Sequence, residues 1–165
     1  MKKFLISSLV IVIVFSACSK SKNDSNSSCN LNYQPCAIVA PQVESDTILN
    51  YLNAQNITAI KHCSGMYYNV VDPGTGRTPD NCSMIAIKYK GSLTNSKVFE
   101  DRSTDALVYK LGQFIEGFQN GIPFIKEGGT IDLYIPPSLA YGNQQVGNIP
   151  ANSVLIFRVN LISIQ

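Results

Sequence analysis

From Gly65 onward, apolar residues recur at every second position in one segment after another, and this alternation restricts the chain to a half-buried antiparallel sheet. Successive side chains on a strand point to opposite faces, so the pattern gives one face to a core and the other to water. Met66 to Val71 is the first such segment. It is closed by Asp72-Pro73-Gly74-Thr75-Gly76, residues that fix φ or tolerate positive φ. Ile85, Ile87 and Tyr89 alternate with Ala86, Lys88 and Lys90 in a second strand, which the pattern ends at Gly91. Leu107, Tyr109 and Leu111, then Ile131, Leu133 and Ile135, then Leu155, Phe157, Val159 and Leu161 complete about five strands. Only Phe114, Phe118 and Ile122 recur at helical spacing in this region, with Pro123 placed to stop a helix directly after. The expected domain, residues 64–165, is α+β: a curved antiparallel sheet wrapped on one short α-helix.

The segment before it changes period. Val43, Ile48, Leu49 and Leu52 fall mostly three and four apart between Pro41 and Asn56, which predicts a short N-terminal amphipathic helix with Asp46 available as its N-cap. Residues 41–63 therefore read as a helical connector packed on the sheet domain. The length of 165 residues suits one such domain with an appendage.

That appendage begins with a basic Met1-Lys2-Lys3, followed by an uncharged run from Phe4 to Ala17 of 14 residues, short of the roughly 20 that span a bilayer. A cleaved leader over residues 1–17 is favoured over a permanent helix. Phe15-Ser16-Ala17-Cys18 resembles the lipobox of bacterial lipoproteins, with Phe where Leu is usual. In that family the Cys18 thiol receives a diacylglycerol and becomes the mature N-terminus, which implies a cell-envelope location on a bacterial membrane, the outer membrane first. Ser19 to Asn30, rich in Ser, Asn and Lys, has too little apolar surface to fold, so residues 18–40 read as a flexible tether. Without Lys2 and Lys3, the 13 basic residues become 11 and balance the 11 acidic ones, which leaves no electrostatic case for a nucleic-acid partner.

With Cys18 lipidated, Cys29, Cys36, Cys63 and Cys82 remain, an even number suited to two disulfides in an oxidising compartment. Three pairings are open, of which the local pair Cys29–Cys36 with Cys63–Cys82 is preferred. Zinc fits poorly, because there is no C-x-x-C pair and His62 is the only histidine. No cofactor and no metal are expected. A Ser-His-acid hydrolase would have to use His62, which sits in the connector far from any nucleophile elbow.

Across residues 64–165 the motifs form an ordered series. Gly74-Thr75-Gly76, Lys88-Tyr89-Lys90-Gly91 and Val98-Phe99-Glu100 come first, then Leu111-Gly112 through Phe114-Ile115-Glu116-Gly117-Phe118. Ile135-Pro136-Pro137-Ser138-Leu139-Ala140-Tyr141-Gly142, Ile149-Pro150-Ala151-Asn152-Ser153 and Leu155-Ile156-Phe157 follow. This succession resembles the FKBP-type peptidyl-prolyl isomerases. The resemblance implies a pocket lined by Tyr89, Phe99, Ile115, Phe118, Tyr141 and Phe157, with Phe118 as its floor where many members have Trp. Leu107 would be a lesser wall. Tyr141 would offer its hydroxyl to a substrate carbonyl, Ile115 its backbone N–H, and Phe99, Tyr141 and Ile149 would flank the bound peptide. Glu100 stands where the family usually has Asp, and either Glu100 or its neighbour Asp101 would meet the pocket hydroxyl. Phe114 and Tyr109 read as core.

The implied activity is rotation of X-Pro bonds in unfolded or exported polypeptides. The competing reading is a non-catalytic, chaperone-like module that holds unfolded chains in the same pocket. Rotation about an X-Pro bond loses amide resonance, a barrier of about 18–20 kcal/mol, and breaks no covalent bond. It therefore calls for an apolar, water-poor pocket and backbone hydrogen bonds, with neither nucleophile nor metal.

Overall fold

The computed structural model describes residues 33–165. The leader 1–17, Cys18 with its lipobox and residues 18–32 of the tether lie outside the described residues. The described elements are α1 (Gln42–Ala54), β1 (Ile60–Lys61), β2 (Tyr67–Asp72), β3 (Met84–Leu93), β4 (Val98–Asp101), β5 (Leu107–Lys110), α2 (Glu116–Gly121), β6 (Thr130–Ile135) and β7 (Leu155–Ile164).

The strands form one antiparallel sheet in the order β1-β2-β6-β7-β3-β4, with β5 also paired to β3. Register shifts at Val70/Asp72, Ala86/Ile87 and Gly91/Ser92 mark bulges. A bulge bends its strand and raises the local twist, which lets the sheet curl around α2. On the concave face Ile87, Ile131, Leu133, Ile135, Leu155 and Val159 are fully buried and pack with Phe118 in one core. The alternation along β6 and β7 therefore put these side chains on the correct side.

Two short strands escaped the sequence reading. β1 has two residues, too few to show a period, and β4 carries the acidic pair Glu100-Asp101. β3 also continues past Gly91 to Leu93. The glycine is not a terminator. A Cβ there would lie 2.6 Å from Phe99 Cζ and 2.8 Å from Phe157 Cε1, so its missing side chain admits those two rings to the concave face.

The helix is shorter than the Phe114–Ile122 spacing predicts. Phe114 is extended, with φ −82° and ψ 170°, and Ile115 is the N-cap of α2. Pro123 sits inside a 3₁₀ turn, Ile122–Phe124, that follows α2. The close packing of α2 depends on Gly117, where a Cβ would lie 2.5 Å from Ile135.

The convex face is covered by α1. Ile48 and Leu52 form a second core with Tyr67, Tyr134 and Val154. The expected apolar stripe is only half used: Val43 is 70% and Leu49 40% exposed, and Ser45 is buried instead, donating to the Gly65 carbonyl at 2.7 Å. Asp46 is not the N-cap. Pro41 occupies that position, and Asp46 accepts from Gln42 Nε2 at 2.7 Å one turn inside the helix.

The preferred cysteine pairing is corrected by a Cys36–Cys63 disulfide with 5.7 Å between Cα atoms, which excludes both Cys29–Cys36 and Cys63–Cys82. Cys82 is disulfide-bonded as well, and Cys29 lies outside the described residues. Cys36, His62 and Cys63 cluster within 4.8 Å, yet both sulfurs are committed to the disulfide. Residues 33–40, the end of the expected tether, are tied to the domain by this bond, by Ala40 N–H donating to Ser64 O at 2.8 Å, and by the Tyr33 hydroxyl against α2.

Candidate functional site

The strand registers converge on Gly91. It lies opposite Phe157 of β7 on one side and Glu100 of β4 on the other, while Tyr89 sits two residues earlier on the same face of β3. Phe118 projects from α2 toward this point and completes an aromatic cluster. Its ring centroid is 4.7 Å from that of Phe157 and 5.9 Å from that of Tyr89, both edge-on. Edge-to-face contacts place a positive ring edge on a negative ring face, which fixes the relative orientation of the rings.

Above these rings lies a cleft of about 240 Å³ lined by Tyr89, Glu100, Gln113, Phe114, Ile115, Phe118, Tyr141 and Phe157. Six of the expected residues are thus brought together: Tyr89, Glu100, Ile115, Phe118, Tyr141 and Phe157. Phe99 is not among the lining residues and lies edge-on to Phe157 at 5.5 Å. Ile149 is buried in the core and Leu107 sits on β5 opposite Ile87; neither lines the cleft. Phe114 and Gln113 do line it, although the sequence pattern marks Phe114 only as core and carries no signal at Gln113. Phe114 in fact serves both, packing on the core and tilted against Phe118 at 5.5 Å.

Register settles the choice between the adjacent acids. Asp101 pairs with Lys90, whose ammonium is 3.5 Å from its carboxylate on the solvent side, and Ser103 N–H donates to it at 3.0 Å. Glu100 has the opposite parity and faces the cleft, where it accepts a hydrogen bond from the Tyr89 hydroxyl. Burial first, and then this bond, push the Tyr89 hydroxyl far above its usual range. Arg102 Nε, 3.3 Å from Glu100 Oε1, steadies the carboxylate from the exposed side. Tyr141 is likewise raised, by burial and then by the Glu100 charge. Both phenols are therefore protonated donors over the physiological range.

A turned loop between β6 and β7 carries Tyr141. Pro136 and Pro137 contribute no N–H, so Ser138 is the first free donor of the turn, and Glu44 of α1 takes both its N–H at 3.0 Å and its hydroxyl at 2.8 Å. Gly142, at φ +58°, accepts from Asn152 N–H at 2.8 Å and reverses the chain beyond Tyr141.

A twisted antiparallel sheet curved over a short helix, with an aromatic cleft edged by phenol donors, is suited to a compact apolar group. The chain matches FKBP-type peptidyl-prolyl cis-trans isomerase over residues 75–162, and it belongs to that family. It is 39% identical over 104 residues to FkpA of Escherichia coli K12, which is 62% of this chain and 38% of that protein. The chain thus spans about two fifths of that relative's length. The crystal structure of Escherichia coli FkpA matches with a TM-score of 0.66 at 32% identity, covering 75% of this chain and 62% of the other. AtFKBP13 matches with a TM-score of 0.61 at 30% identity, covering 66% of this chain and 99% of that one.

Proposed function

We propose that this protein is a peptidyl-prolyl cis-trans isomerase that assists the folding of exported polypeptides. The observation that carries the reading is the aromatic cleft, in which Phe118 and Phe157 present apolar surface at the floor while Tyr141 and Glu100 stand at the rim. A proline ring set against Phe118 would be removed from water. The planar amide has more charge separation than the twisted one, so a water-poor setting favours the twisted geometry and lowers the barrier. Tyr141 would donate its hydroxyl to a flanking carbonyl and Ile115 its backbone N–H, which holds the peptide while the amide turns. Glu100, by engaging Tyr89, orients that phenol against the cleft.

The chain would act from a bacterial membrane through acylated Cys18, with residues 19–32 as its tether. A protease-coupled or NMR exchange assay on an X-Pro tetrapeptide tests the activity. Acceleration over the roughly 10–100 s uncatalysed exchange is expected, and a rate equal to the control would remove the enzyme reading. Mass spectrometry of the mature N-terminus tests the anchor, where a free Ser19 or an uncleaved Met1 would refute it.

A further inference from the structure

α2 separates two cavities. Phe118 faces the aromatic cleft, whereas Gln119 and Asn120 line a larger cavity of about 340 Å³ whose walls include Tyr33, His62, Pro123 and Phe124. Asn120 is 3% exposed, and its amide nitrogen has no hydrogen-bond partner among the described residues. The Tyr33 hydroxyl lies 2.8 Å from Glu116 Oε2 and 2.7 Å from Asn120 Oδ1. A phenol has one proton, and a carboxylate can only accept it. Toward Asn120 the phenol can then only accept, which calls for the amide turned with its nitrogen to Tyr33. In either orientation one polar atom of Asn120 is buried without a partner, an arrangement native proteins rarely keep without a role.

Several of the other polar walls are paired within the described residues. Asn81 Nδ2 donates to Gln119 Oε1 at 2.9 Å, and Gln119 Nε2 donates to the Phe114 carbonyl at 2.7 Å. Asp80 Oδ1 is engaged in its own turn, accepting from Cys82 N–H at 2.9 Å and the Ser83 hydroxyl at 2.8 Å. His62 Nδ1 accepts from Ser64 N–H at 3.2 Å, and burial lowers the ring's pKa, so it is neutral. Among the described residues, no lysine or arginine lines the cavity. Phe124 is 42% exposed and held in place by stacking on Tyr68 at 4.3 Å. These walls fit a neutral ligand with an apolar side chain for Phe124 and one group able both to donate and to accept. A peptide unit is such a group, carrying one donor and one acceptor that match an amide in either orientation.

We propose that this cavity is a second polypeptide subsite, which holds a neutral apolar stretch of the client whose X-Pro bond occupies the aromatic cleft. The two sites adjoin through the Gln119–Phe114 hydrogen bond, since Phe114 lines the cleft. The occupant rests on the isomerase reading; the cavity and its unpaired amide do not.

The test titrates the ¹⁵N-labelled full chain with the proline-free peptide acetyl-Ala-Phe-Leu-Ala-amide. The Asn120 side-chain amide and the Phe124 backbone signals shift, and Phe124→Ala weakens binding about fivefold. The same variant turns over a short X-Pro tetrapeptide at the unaltered rate and loses a similar factor on a long unfolded proline-containing protein. Shifts confined to Tyr89, Tyr141 and Phe157, no shifts at all, or equal turnover of short and long substrates by Phe124→Ala would overturn the proposal. So would nuclear Overhauser contacts from residues 19–32 to Phe124, which would make the chain itself the occupant. If the unaltered chain fails to turn over even the tetrapeptide, the isomerase reading falls on its own, while the peptide titration still reports on the cavity.

Discussion

The two cavities beside α2 are built from neighbouring residues of one short helix and differ in kind. The cleft over Phe118 is walled by rings whose edges and faces satisfy one another, and two of its polar groups, Tyr89 and Glu100, are already paired. The cavity beside Asn120 is walled by amides and prolines and retains one buried polar atom without a partner among the described residues. One surface is prepared for a ring and asks for no new hydrogen bond at its floor, whereas the other lacks one. α2 can serve both because a helix turns about 100° per residue, so Phe118 and Asn120 project in different directions.

The contrast is broken most sharply at Phe118. Removing this 2%-exposed ring is expected to cost about 3–5 kcal/mol of stability, read as a lowered denaturant midpoint. It should abolish turnover while leaving peptide shifts at Phe124 intact in the fraction that folds. Phe99→Ala and Tyr141→Phe come next, each lowering kcat/KM for an X-Pro tetrapeptide by about tenfold, roughly 1.4 kcal/mol, with an unchanged circular dichroism spectrum. If both were silent, the roles given to the cleft residues would be wrong.

On the opposite side, Tyr33→Phe removes the hydroxyl from Glu116 and Asn120 and should lower stability by about 1–2 kcal/mol without changing tetrapeptide turnover. Glu44→Ala releases the Ser138 turn beneath Tyr141. Because the contact is solvent-exposed, a loss of only about 0.5 kcal/mol is expected, seen as a small rise in KM at constant kcat. The smallest expected effect is on the pH profile. An ordinary tyrosine ionises near pH 10, and burial of Tyr89 raises its value, so turnover should stay level through about pH 10.

Much of the concave face was legible because strand parity is a local property. Ile131, Leu133 and Ile135, like Leu155, Phe157 and Val159, point inward in the structure as their spacing indicates. The convex face was not legible in the same way. Tyr67, Tyr134 and Val154 are buried there only because α1 lies over them, and α1 does so through Ser45, Ile48 and Leu52, leaving Val43 and Leu49 in water. The helical period identifies a set of apolar positions, but the docking angle selects which of them are covered.

The residues of this chain by themselves determined the antiparallel sheet, the single short helix within it and the ordered motifs that carry the cleft, since each depends on near neighbours in sequence. Only the tertiary structure decided that Glu100 and not Asp101 faces Tyr89, that Phe114 lines the cleft, and that Cys36 bonds Cys63. Each of these depends on where two distant segments meet. A bulge at Gly91/Ser92 sets the parity of β4 against β3, and the fold brings two cysteines 27 residues apart to 5.7 Å, distances that no local period encodes.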